Sequence, residues 1–172
     1  LAVPKKGSKF KDTSSKAEYK VLSAKVSKGK VTGTVSYVKP QNKSAKTVKI
    51  PAKITVDGGT YTVTAIADKA FCNNKKVTKI TVGNNVKTIG SNAFYGCSKL
   101  KTVTIGKNVE TIGNNAFGKC TALTKITIPA KVKKIGKQSF AGCKKLKTIT
   151  VKTAKLKKSS VGSNAFKGIS TK

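Results

Sequence analysis

Ile89-Gly-Ser-Asn-Ala-Phe94-Tyr-Gly-Cys97-Ser-Lys-Leu100 returns 23 residues later as Ile112-Gly-Asn-Asn-Ala-Phe117-Gly-Lys-Cys120-Thr-Ala-Leu123, and after the same interval as Ile135-Gly-Lys-Gln-Ser-Phe140-Ala-Gly-Cys143-Lys-Lys-Leu146. A weaker copy around Phe71 runs from Ile66 to Val77, and a truncated one, Val161-Gly-Ser-Asn-Ala-Phe166, comes last. A fixed period of this length marks a solenoid, in which each unit buries its apolar face only against its neighbours. The units are 66–88, 89–111, 112–134 and 135–160, with a partial unit at 161–172.

Between the motifs lies a short alternating segment. Leu123, Ile126 and Ile128 point inward, and the same places hold Val77/Ile80/Val82, Leu100/Val103/Ile105 and Leu146/Ile149/Val151. Stacked, these segments form a parallel sheet with strands near 79–82, 102–105, 125–128 and 148–151. A turn follows each strand, at Gly83, Gly106 and Pro129, and then an inward valine and isoleucine such as Val132 and Ile135. Next comes a Gly-led helical turn bearing Ala and Phe. Gly90, Gly113, Gly136 and Gly162 mark backbone too closely approached for a side chain. Phe71, Phe94, Phe117, Phe140 and Phe166 should stack as a spine.

Upstream, residues 1–16 are rich in Lys and Ser and read as a flexible lead-in. From Glu18 to Val38, two alternating runs (Tyr19, Val21, Val26; Val31, Val35, Tyr37) flank the turn Ser27-Lys-Gly-Lys30. Val48-Lys-Ile50 and Ile54-Thr-Val56 then lead through Asp57-Gly58, a hairpin signal, to Tyr61-Thr-Val63. Residues 17–65 therefore form an antiparallel β cap, placed where a solenoid must cover its first coil.

The strand Leu-x-x-Val/Ile-x-Ile, followed by Val-x-x-Ile-Gly-x-x-Ala-Phe-x-x-Cys-x-x-Leu, resembles the BspA-type leucine-rich repeat over 66–172. The stretch around Ile50-Pro and Val56-Asp-Gly-Gly-Thr-Tyr61 is similar to the lead-in often found before such repeats. The resemblance implies an α/β, β-rich fold: a right-handed leucine-rich-repeat solenoid behind a small antiparallel cap. It implies a non-enzymatic binding or adhesion module of a bacterial surface protein, extracellular or cell-surface, and supplies no catalytic residues.

The charge is extreme, with 37 basic and 5 acidic residues and a net +32. Every basic residue is lysine. Without arginine the bidentate grip on phosphate and guanine is missing, so no specific nucleic-acid recognition is expected. The lysine field still attracts polyanions in a salt-dependent way. The partners it suits are a host surface protein or an anionic polymer such as glycan or wall polymer, with nonspecific nucleic-acid binding a third reading. A structural scaffold held on envelope polymers by charge alone is the alternative to a specific site.

With no histidine, and with Asp12, Glu18, Asp57, Asp68 and Glu110 sharing no repeat column, neither general-base nor paired-carboxylate catalysis is expected, nor a metal or cofactor. No apolar run nears the about 18 residues of a membrane span. The absence of methionine marks an excised or processed piece, with any signal or anchor outside it.

Cys97, Cys120 and Cys143 keep the period, three places after the phenylalanine, where the outer units carry Asn74 and Ile169; Cys72 is off the column. Stacked strands about 4.8 Å apart leave neighbouring thiols within disulfide reach. Three in a column cannot all pair, and Ile169 marks an apolar filler, so buried free thiols are expected. The outward strand positions carry the candidate binding face: Lys79, Thr81, Lys101, Thr102, Thr104, Lys125, Thr127, Lys147, Thr148 and Thr150. It lacks aromatics, which argues against sugar stacking and single-strand nucleic-acid binding.

Overall fold

In the computed structural model, which describes residues 2–170, the regular secondary structure is almost wholly strand, joined by turns. The first position of the lead-in and the last two of the partial unit lie outside the described residues. The strands are β1 (Lys9–Asp12), β2 (Ala17–Ser27), β3 (Lys30–Pro40), β4 (Thr47–Ile50), β5 (Lys53–Val56), β6 (Gly59–Ile66), β7 (Lys79–Val82), β8 (Thr88–Ile89), β9 (Thr102–Thr104), β10 (Thr111–Ile112), β11 (Lys125–Ile128), β12 (Lys134–Ile135) and β13 (Thr148–Val151).

Each repeat contributes two strands. The longer ones form the outward face, with β4, β7 and β9 in one parallel ladder and β11 with β13 in another. The two-residue strands β8, β10 and β12 form a second parallel ladder through Ile89, Ile112 and Ile135, which Val161 joins by a single bridge. Between the ladders lies the core. Phe94, Phe117 and Phe140 are fully buried, with ring centroids 5.1–5.3 Å apart from Phe71 through Phe166 and interplanar angles of 2–13°. The inward strand residues are buried too, except at the last coil, where Ile149 is half-buried and Val151 is 53% exposed.

Three sequence expectations are corrected. Residues 1–16 are not a uniform flexible lead-in: β1 pairs antiparallel with β2, placing Phe10 against Tyr19 at 6.0 Å and Tyr61 at 5.5 Å. One aromatic side chain anchors a stretch whose lysines stay in water.

The cap is not purely antiparallel. β2–β3 and β5–β6 are, but β3 pairs parallel with β6, and β4 parallel with β7 in the register Val48↔Ile80 and Ile50↔Val82. Thr47-Val-Lys-Ile50 alternates as Lys79-Ile-Thr-Val82 does, so it stacks as one more solenoid strand. The C-terminal end of β6 (Ala65, Ile66) pairs with β8, which makes the cap continuous with the second ladder.

The Gly-led segments are not helical. The described residues hold only one short 3-10 turn, Lys158–Ser160. The expected helical turns are interrupted by left-handed residues, Asn92 (φ 56°), Asn115 (φ 55°), Gln138 (φ 54°) and Asn164 (φ 55°). Asparagine tolerates that conformation better than most residues. Single turns bond along themselves, as from Ala93 N–H to Gly90 O and Cys97 N–H to Phe94 O, and are tied to one another: Phe71 N–H donates to Ala93 O, Phe94 to Ala116, Phe117 to Ser139 and Phe140 to Ala165.

Candidate functional site

The face formed by β4, β7, β9, β11 and β13 owes its chemistry to strand alternation: inward side chains fill the core, and outward ones meet solvent. Lys79, Lys101, Thr102, Thr104, Lys125, Thr127, Lys147, Thr148 and Thr150 are all exposed, and Thr81 is half-buried. Thr81 pairs with Thr104, and Thr127 with Thr150. No acidic residue stands on these strands.

The face is broken at its middle. Lys101 and Thr102 N–H donate to Thr78 O, and Lys147 and Thr148 N–H to Thr124 O. The equivalent bonds from Thr124 or Lys125 to Lys101 O are absent, and β9 and β11 share no ladder. Behind the break the solenoid stays closed: β8, β10 and β12 pair without interruption, and Phe94 and Phe117 stack at 5.1 Å. The coils therefore part on one face only.

Pro129 supplies the reason. The coils below are stacked so closely that a Cβ at Gly83 would lie 2.6 Å from Ile50 O, and one at Gly106 2.5 Å from Gly83 O. The next residue in this column is a proline, whose ring needs room. Proline also has no N–H to donate to Ile105 O; in this column the equivalent bond is made by Lys152, one unit on, to Ile128 O at 2.9 Å, and not by Gly83 or Gly106.

The opening is a groove of about 880 Å³. It brings together five of the sequence-predicted residues, Thr102, Thr104, Lys125, Thr127 and Thr150. Lys79, Thr81, Lys101, Lys147 and Thr148 stand on the same face outside it. Sequence reading missed Lys107 and Lys152, which add charge at its edge, and Pro129 itself. The available signal was a proline where the two preceding repeat units hold glycine.

The thiols occupy the opposite, buried side. Cys97, Cys120 and Cys143 are free and donate to the carbonyls of Phe71, Phe94 and Phe117 at 3.1, 3.2 and 3.1 Å. Each thiol thus satisfies a carbonyl of the preceding turn. Burial pushes the Cys97 thiol up to about 12. The neighbouring Cys143 thiol, and then burial, raise Cys120. Asn74, at the head of the column, instead donates its side-chain amide to Lys43 O in the loop before β4, at 3.3 Å. Cys72 is half-buried and lines a separate pocket of about 570 Å³ with Phe71, Lys39 and Lys43.

The BspA type leucine rich repeat region matches residues 60–172 in six copies. The chain belongs to this family. The BspA-type chain superposes on the pneumococcal vaccine antigen PcpA with a TM-score of 0.76 at 29% identity, covering 96% of this chain and 43% of the antigen. It superposes on the Treponema pallidum leucine rich repeat protein with a TM-score of 0.74 at 25% identity, covering 92% of this chain and 67% of that one. A leucine-rich repeat protein from Bacteroides capillosus gives 0.68 at 30% identity, with 80% and 94% covered. No curated protein matches. The family is typically a binding scaffold rather than an enzyme. No helix among the described residues is long and apolar enough to cross a membrane.

Proposed function

We propose that the protein is an extracellular, cell-surface binding module whose Lys/Thr strand face recognises an acidic surface, as an adhesin does. The observation that carries this reading is the composition of the face: exposed lysines and threonines on consecutive strands, with none of the five acids among them. Likeness to a vaccine antigen supports surface display, since an antigen of that kind is one antibodies can reach.

The test replaces Lys79, Lys101, Lys125 and Lys147 with glutamate and compares an equal change at Lys5, Lys11, Lys28 and Lys43. Both sets shift net charge equally, and exposed substitutions usually change stability by under about 0.5 kcal/mol each. The reading expects binding to acidic partners to be lost from the strand set alone. Equal losses from both sets would establish the second reading, a scaffold held on anionic envelope polymers by charge. That reading is favoured by the spread of lysine over the whole chain.

A further inference from the structure

We infer that the break between β9 and β11 is a built recognition groove, opened by Pro129, and that its occupant is an extended acidic polypeptide segment. The inference rests on the strand face being the binding surface and adds what the face recognises and where.

Three properties of the groove select the occupant. Its lining mixes hydroxyls from Thr102, Thr104, Thr127 and Thr150 with aliphatic groups from Val103, Ile105, Pro129 and Ala130. Val103 and Ile105, buried at 8% exposure each, make the floor of the groove apolar. An extended peptide presents alternate side chains to such a surface, apolar toward the floor and polar toward the rim. Second, the charges at its edge are Lys107, Lys125 and Lys152 with no acidic counterpart, which is complementary to carboxylates. Third, β9 and β11 each carry one edge outside any ladder, and such edges seek backbone partners. A glycan would offer neither apolar side chains nor a peptide backbone, and no aromatic side chain lines the groove for a sugar to stack on.

The groove is testable without touching charge. Pro129→Gly restores the glycine found at Gly83 and Gly106 and removes the ring that holds the coils apart, so the ladder should close while every lysine stays in place. Closure reads out as slower hydrogen exchange at the Lys125 and Thr127 amides. Thr104→Tyr and Thr127→Tyr fill the groove from exposed positions and give a second route should P129G leave it open. Thr81→Tyr, outside the groove, is the control.

The probe is a peptide of alternating Glu and Val residues, with a heparin oligosaccharide as the competing polyanion. The expected result is at least a tenfold loss of peptide affinity in P129G and in both groove-filling variants. T81Y should bind like the parent chain, and heparin binding should be unchanged throughout. Undiminished peptide binding by the tyrosine variants, or by P129G with its ladder closed, would overturn the groove. Loss of heparin rather than peptide would overturn the polypeptide assignment. Failure of the groove leaves the strand face standing if the Lys→Glu set still loses binding, so the two readings fall separately.

Discussion

Phe117 sits between Phe94 and Phe140 at 5.1 and 5.2 Å, and none of the three rings reaches solvent. Truncating it to alanine removes a ring from a rigid stack that cannot collapse around the void. The expected cost is about 3–5 kcal/mol, read from denaturant midpoints. Phe166→Ala should cost clearly less, because that ring is only half-buried. The thiols beside the spine are equally constrained. Labelling needs access to the sulfur, so a thiol reagent on the native protein should modify the half-buried Cys72 first and leave the buried Cys97, Cys120 and Cys143 protected until unfolding. The pH dependence has a definite sign. The Cys97 thiol is raised in the folded state to about 12, so its contribution is intact below the ordinary thiol value and is lost as pH rises through the folded one. Between roughly pH 9 and 12 it should remove about 1.4 kcal/mol per pH unit. Cys97→Ala should flatten that slope. Comparing the two proteins at matched pH cancels the simultaneous discharge of lysines.

Among the elements, the repeat register was readable because each inward position repeats one chemical demand. The sequence placed β7, β11 and β13 at their observed bounds and β9 within one residue. What it missed had no periodic signal. β1 is held by one phenylalanine and by pairing with β2, and β4 reads as a cap strand until its partner β7 is in place. The aromatic spine also extends further than the phenylalanine column shows. Tyr37 stacks on Phe71 at 5.5 Å and 11°, and Tyr19 meets Tyr37 edge-on at 5.6 Å. These tyrosines lie on antiparallel strands outside the repeat, where no interval predicts them. The Lys/Thr face was legible from alternation alone, but the groove was not, because it arises from one departure in a column of turn residues. The neighbouring glycine column has a measurable consequence. A Cβ at Gly113 would lie 2.7 Å from the Gly90 carbonyl carbon and the Ser91 nitrogen, backbone atoms that cannot rotate away. Gly113→Ala should therefore force the coils apart at a cost of about 1–3 kcal/mol, seen as a lower denaturant midpoint.

For the molecule as a whole, a net charge of +32 on 172 residues is a standing self-repulsion. Little local pairing offsets it. Among the described residues Glu18 contacts Lys9 and Lys39 at 3.7 and 3.9 Å, and Glu110 contacts Lys133 at 3.2 Å. Lys133 hydrogen-bonds the exposed Glu110 and draws its carboxyl below the usual range, but exposed pairs of this kind contribute little. Screening should then help the fold more than it harms it. The Debye length shortens from about 8 Å at 0.15 M to about 3 Å at 1 M, which removes most lysine–lysine repulsion across the surface. Tm should rise with sodium chloride, by about 2–4 °C for each kcal/mol recovered in a chain of this size. Binding to an acidic partner should respond in the opposite direction, because the same lysines that repel one another attract the ligand. Scanning calorimetry and a binding titration across one salt series separate the two effects. A falling Tm would mean that the few ion pairs outweigh the repulsion. Rising stability with weakening affinity would show that the charge is kept for recognition at a cost to the fold.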